Sequence, residues 1–233
     1  KSAVLLAALY ANSKTVLSTS SVTRNHTELM LESFGCDIRH NEQEIILEPG
    51  ELKGINALTI PGDFSSASFL ILASLIAKDS QIIIKNVGLN PTRIGFLKIL
   101  QMMGGKITTT IDPNNSYEIQ GTIKVKSSEL HGINVPRNLI PRSIDELPLV
   151  FLAAACAKGT TTIRHATELR FKESDRITAM ATLLSQLSID VKEFNDGLTI
   201  NGGVMSGGEI DSFGDHRIAM TALIASACSK ADI

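Results

Sequence analysis

SSASFLILASLIAKDSQIII, residues 65–84, opens as a run of small and aliphatic residues, breaks at residues 78–80 and continues in isoleucines. Alanine and leucine favour helix and β-branched residues favour strand, so the stretch predicts a helix followed by a strand. The helical part has little polar interruption and reads as a buried helix, not a surface amphipathic one. The same pattern returns as SAVLLAALYANSKTVL (2–17), ELPLVFLAAACAKGTTTI (146–163) and DHRIAMTALIASACSKADI (215–233). Recurrence at this spacing is the mark of an internal repeat.

A second set of helices lies between them: TRNHTELMLESFGCDI (23–38), NPTRIGFLKILQMMGGKI (90–107) and KESDRITAMATLLSQLSIDV (172–191). Leu29, Leu31 and Phe34, and likewise Ile177, Met180 and Leu184, mark one buried face in each. Gly35 and Gly104 stand where a helix closes through a left-handed residue, and Ser188 occupies that place in the third, which should close less easily. Two strands are expected after each, such as EIILEP (44–49) with GINALTI (54–60), or SYEIQG (116–121) with IKVKS (123–127). The unit is helix, strand, helix, strand, strand. Stacked units of this kind give an α/β architecture with helices packed inside sheets, and a groove between two stacks is the natural place for a ligand.

The chain has 233 residues, 43% of them hydrophobic and 20% charged, with a net charge of −2. That balance lacks the clustered basic field a nucleic-acid surface needs. The longest apolar runs, FLILASLIA (69–77) and LPLVFLAAACA (147–157), fall short of the roughly 20 residues of a membrane span. Cys36, Cys156 and Cys228 show no metal-ligand spacing and sit in contexts typical of buried thiols, which points to a reducing compartment.

Acidic residues stand at the threshold of three of the first helices: Asp63 in PGDFSS, Asp145 in SIDELP and Asp215 in FGDHRI. Capping or a hinge role accounts for Asp63, since aspartate accepts from free first-turn amides. Asp145 and Asp215 are followed by groups no cap requires, Glu146 in one case, His216 and Arg217 in the other. In KESDR, Glu173 and Asp175 suit a helix N-terminus, whereas Lys172 and Arg176 oppose its dipole unless an anion faces them. Four residues apart, these two cations would share a helical face that could grip a carboxylate or phosphate. A surface salt-bridge turn pairing Glu173 with Arg176 is the plainer alternative.

DELP, LRFKESDR and GDHRIAM occur in order at helix starts of one repeat frame. Together with PGDFSSASFLILAS, TRNHTELMLESFG and KSAVLLAALYA they resemble the signatures of the 5-enolpyruvylshikimate-3-phosphate synthase family, over essentially the whole chain. The resemblance implies an inside-out α/β prism of βαβαββ units. It also implies transfer of the enolpyruvyl group of phosphoenolpyruvate to the 5-hydroxyl of shikimate 3-phosphate, with release of phosphate and no metal or organic cofactor. By position Asp145 is similar to the family's base and Glu173 to the acid that protonates the methylene carbon. Lys172 is similar to a shikimate-ligand contact, Arg176 and Arg217 to the arginines that hold phosphoenolpyruvate, and Asp215 and His216 to their acidic and imidazole neighbours. His216 is expected to orient Asp215 or a substrate, with proton relay as the alternative. Arg24 resembles a shikimate-phosphate contact of one branch, and Asn25 stands where the family usually has aspartate.

The resemblance also places family segments before residue 1 and after Ile233, which implies a fragment that turns over little alone. Residues 1–61 would be the remainder of one domain and 62–233 most of the other, hinged near PGD. A cytoplasmic monomer is expected, with small-molecule substrates and neither nucleic acid nor membrane as partner. Two rival expectations are transfer to a UDP-amino sugar by a sister family of the same fold, and a non-catalytic binding scaffold.

Overall fold

The computed structural model describes residues 1–19, 23–113, 117–226 and 229. Its elements follow the sequence repeat. The first unit runs α1 (Ser2–Ala8), β1 (Thr15–Ser18), α2 (His26–Ser33), β2 (Ile38–His40) and β3 (Glu44–Leu47). The second runs α3 (Phe64–Ile76), β4 (Gln81–Gly88), α4 (Gly95–Met102), β5 (Lys106–Ile111) and β6 (Gln120–Lys126). The third runs α5 (Leu147–Cys156), β7 (Thr160–Ile163), α6 (Arg176–Gln186), β8 (Asp190–Phe194) and β9 (Gly197–Asn201), and α7 (His216–Ser226) follows.

Each unit closes a three-stranded sheet in one order, with its last strand in the middle: β1-β3-β2, β4-β6-β5 and β7-β9-β8. All these pairings are antiparallel, with Val16 opposite Ile46, Ile83 opposite Lys124 and Thr162 opposite Thr199. Ahead of α3 and α5 a short stretch pairs in parallel with the strand that follows the helix, through Gly62 with Val87, and through His131 with Lys158 and Asn134 with Thr162. These stretches supply the leading strand of a βαβαββ unit.

Two of the expected strand pairs need correction. GINALTI (54–60) has no strand pairing; the EIIL strand pairs instead with β1 and with the short β2 beside it. Gln120 and Gly121 of SYEIQG join residues 123–126 in the single strand β6, whose neighbour β5 begins at Lys106, just past the Gly104 stop. Gly104, at φ 95°, closes the helix where the sequence places its stop. Ser116 lies outside the described residues, as do Cys228 and the last four positions, where a strand was expected.

The helices lie inside. α3, α5 and α7 contact one another, and α4 and α6 also contact α5. Every α5 residue from Leu147 to Ala155 is buried. Small residues make this possible, because interaxial distance follows side-chain size and alanines let helices approach closely. With the sheets outside this helical centre, the architecture is the inside-out α/β prism. α1 and α7 depart from the expectation of helices buried all round. Val4 and Leu6 on α1 and Leu223 on α7 are exposed, since each helix meets neighbours on one side only among the described residues.

Buried apolar residues form two clusters. The larger reaches from Phe64 to Ala225 and the smaller comprises Leu5, Ala8, Leu31, Ile38, Ile45 and Leu47. Cys36 and Cys156 are half-buried, not enclosed as expected. No helix among the described residues is long and apolar enough to cross a membrane.

Candidate active site

The chain entries to α3, α5, α6 and α7 meet at one end of the molecule. Asp63 caps α3, accepting from Ser65 N at 3.2 Å and Ser66 N at 2.8 Å, as its sequence context predicts. Asp145 and Glu146 sit in a 3-10 turn (Ile144–Glu146) that feeds α5. Before Asp215 two left-handed residues, Phe213 (φ 53°) and Gly214 (φ 69°), turn the chain so that the carboxylate faces α6.

KESDR does not form one helical face. Lys172 follows a 3-10 turn (Thr167–Phe171) in extended conformation, and α6 begins only at Arg176. Asp175 ends the stretch by capping α6 through Ile177 N and Thr178 N, and it also accepts from Arg170 Nη1 at 2.7 Å. The two cations of the motif therefore part company. Lys172 reaches Glu168 at 2.5 Å and lies 3.9 Å from Asp145 Oδ1. Arg176, 1% exposed, is enclosed against Asp215, with Nε donating to Oδ2 at 2.7 Å, while its Nη2 donates to Glu173 at 2.6 Å. The predicted Glu173 to Arg176 pair is thus present, on a guanidinium that is buried and not on the surface.

Asp145 is the meeting point. Arg24 from the first unit donates to its Oδ2, Arg93 Nη1 lies 3.5 Å from the same oxygen, and Arg217 Nη1 donates to its backbone carbonyl at 3.0 Å. Burial works to raise the Asp145 pKa, but the hydrogen bond and charge of Arg24, with Arg217 and Arg93 behind them, hold the carboxyl below the usual aspartate range. An aspartate so placed is ionised at neutral pH and can take a proton from a bound hydroxyl. Asp215 likewise has its pKa raised by burial and then lowered further by Arg176, the Arg217 amide and Ser174.

A cleft of about 430 Å³ opens here, lined by Lys1, Ser2, Thr23, Arg24, Asp145, Glu168 and Lys172 among others. Arg24 is 43% exposed and Lys172 24%, so these are the cations an incoming anion meets first. His216 does not orient Asp215. It is exposed and makes no hydrogen bond among the described residues, and Ser174 donates to Asp215 instead, at 3.1 Å. Asn25 turns away from Arg24 and accepts from Asn90 Nδ2 at 2.8 Å.

The model of the EPSP synthase (3-phosphoshikimate 1-carboxyvinyltransferase) family matches residues 1–233. The chain belongs to this family. It is 44% identical over 234 residues to the 3-phosphoshikimate 1-carboxyvinyltransferase of Legionella pneumophila (strain Lens), a match covering 100% of this chain and 54% of that protein. The chain thus spans about half the length of the curated relatives it matches. Among solved structures it resembles EPSP synthase from Acinetobacter baumannii, with a TM-score of 0.91, 39% identity, and coverage of 97% of this chain and 53% of the other. The enolpyruvyl transferase NikO from Streptomyces tendae is 19% identical at a TM-score of 0.71 and shares the fold.

The EPSP synthase signatures lead to Asp145, Lys172, Glu173, Arg176, Asp215 and Arg217, and the fold gathers them. They do not lead to Arg93 or Ser65. Arg93 lies in NPTRIG, which reads as the start of a helix, and Ser65 looks like one small residue among several. Only the stacking of units brings Arg93 against Asp145 and Glu146, and Ser65 against Glu146.

Proposed function

We propose that the chain carries the catalytic half-site of an EPSP synthase: enolpyruvyl transfer from phosphoenolpyruvate to the 5-hydroxyl of shikimate 3-phosphate, with release of phosphate. The convergence of Arg24, Arg93, Lys172 and Arg217 on Asp145 supports this most directly. Asp145 accepts the hydroxyl proton as the oxygen bonds to the central carbon of phosphoenolpyruvate, and Glu173 delivers a proton to the methylene carbon. Loss of phosphate and of one proton from the new methyl group then restores the double bond on the product. Two carboxylates in different surroundings suit these opposite tasks.

Both substrates are polyanions, so cations must neutralise and orient them. Arg24 and Lys172 serve the shikimate side, trading Asp145 and Glu168 for phosphate and hydroxyl oxygens. Arg217 faces the donor. Arg176 bonds it directly only if Glu173 releases its Nη2; otherwise it acts as a fixed charge behind Glu173. Asp215 aligns Arg176 and the start of α7, and the exposed His216 contacts substrate and not Asp215.

The two core clusters support a division into residues 1–61, the remainder of the shikimate-phosphate domain, and 62–233, most of the second, with Pro61 to Asp63 as hinge. A cytoplasmic monomer fits phosphorylated substrates held within one chain.

The deciding measurement is phosphate release from phosphoenolpyruvate by the full-length protein, with shikimate 3-phosphate or a UDP-amino sugar as acceptor. Release with shikimate 3-phosphate alone is expected. Release only with the sugar nucleotide, or with neither, would overturn the assignment.

A further inference from the structure

Asp145 and Glu146 are neighbours in one turn yet face opposite ways. Asp145 borders the cleft, whereas the Glu146 side chain is 0% exposed. Three other segments close on it. Ser65 Oγ, at the start of α3, donates to Oε1 at 2.6 Å. Arg93, ahead of α4, places Nη2 3.3 Å from Oε1 and Nη1 3.5 Å from Oε2. Arg217, in the first turn of α7, has Nη1 3.9 Å from Oε1. Ser65 Oγ ties the group together by also accepting from Arg93 Nη2 at 2.6 Å and Arg217 Nη2 at 3.4 Å.

A buried carboxylate is costly unless it is paired, and an apolar residue of the same size would fill the space without that cost. Glu146 cannot meet substrate from where it lies. What it does meet is two of the three arginines that touch Asp145, Arg93 and Arg217. Each guanidinium has several ways to turn, and a fixed anion behind it selects one. We propose that Glu146, through Ser65, is a positioning residue: a buried counter-ion that fixes the directions of Arg93 and Arg217, and so the place where Arg217 offers its charge to an anionic substrate. Burial pushes the Glu146 carboxyl above the usual glutamate range despite Arg93 beside it, as expected for a group held at some expense.

The kinetic consequence rests on the function proposed above; the geometric claim does not. Both are tested in the full-length protein. Rotation of the Arg217 and Arg93 guanidiniums is followed by nitrogen-15 NMR of their side chains, with Arg217→Lys and Arg93→Lys giving the assignments. Glu146→Gln keeps the shape and removes the charge, and Ser65→Ala removes the tie without touching the carboxylate. Both variants are expected to speed Arg217 rotation about tenfold or more and to raise KM for phosphoenolpyruvate by a similar factor, with kcat changed less than about threefold, the scale set by losing one charge-assisted hydrogen bond. In an Arg217→Lys background, Glu146→Gln should add less than about twofold to KM, because coupled residues are not additive. Unchanged Arg217 rotation in both folded variants, or a full multiplicative effect in the Arg217→Lys background, would overturn the proposal. If the wild-type protein releases no phosphate with either acceptor, the assigned reaction fails, and the rotation rates still decide the positioning claim.

Discussion

Asp215 shows how much one buried carboxylate carries. Arg176 is enclosed, and Asp215 takes its Nε and part of its Nη2 while also accepting from the Arg217 amide at 2.9 Å. Asp215→Asn leaves the guanidinium without its main counter-charge, and breaking a buried pair in this way costs about 3–5 kcal/mol. The folded pKa of Asp215 lies below its ordinary 3.8, so its contribution is complete above that value and is lost as pH falls through the folded one. Glu146, raised above 4.5, works oppositely and disfavours the fold once it ionises. Urea unfolding at pH 7 and pH 3 should therefore show the large gap between wild type and Asp215→Asn narrowing in acid; a gap that stays constant would place the stability elsewhere. GDHR showed from sequence alone that an acid and an arginine act together here. It did not show which arginine the acid holds, because Arg176 enters from another unit, nor that Ser174 and not His216 would be its hydrogen-bonding neighbour.

Helix closure is where an element departs from its own repeat. Gly35 and Gly104 end α2 and α4 at φ 78° and 95°, and Ser188 takes the same left-handed turn after α6 at φ 65°. The Ser188 amide bonds back to Ser185 and the Ile189 amide to Leu184, so the geometry of the stop is kept although the residue is not glycine. A side chain in that region costs about 1–2 kcal/mol relative to glycine. The exposed hydroxyl contact between Ser188 and Ser206, 2.9 Å, offsets part of it. Ser188→Gly should thus stabilise by about 0.5–1 kcal/mol, read as a higher urea midpoint at unchanged slope; a lower midpoint would mean the hydroxyl contact outweighs the strain. Periodicity made the helices, their order and this weak stop legible. It misplaced strands where apolar content alone was the guide, as at SYEIQG and IKVKS, where residues 120–126 form the single strand β6, and at GINALTI, whose apolar residues lie in an unpaired connector. KESDR misled similarly, because four-residue spacing means a shared face only once a helix has begun, and Lys172 precedes it.

At the scale of the molecule the question is whether residues 1–47 stand on their own. Among the described residues their core is six side chains, one of them alanine, and too small to offset the ordering of that many residues. Polar contacts join them to the second and third units: Arg24 with Asp145, His26 with Glu118 at 2.5 Å, Asn25 with Asn90 at 2.8 Å and Arg142 with Glu42 at 3.3 Å. Such contacts, partly exposed, contribute about 0.2–1 kcal/mol each and hold only while the chain keeps the parts close. The connector from 48 to 61 has no regular structure and presents Lys53 to solvent. Cleavage by trypsin at Lys53 removes that tether. Hydrogen exchange on the nicked chain should then show β1 to β3 losing protection by tenfold or more, while α5 and β4 to β9, in the larger core, exchange as before. Glu118→Gln, which removes the charge facing His26, should bring the same loosening of β1 to β3 at lower extents of cleavage. Protection retained in β1 to β3 after the cut would make them an independent domain and overturn their dependence on the tether; loss of protection throughout would make the two clusters one cooperative unit and reject the division at Pro61 to Asp63.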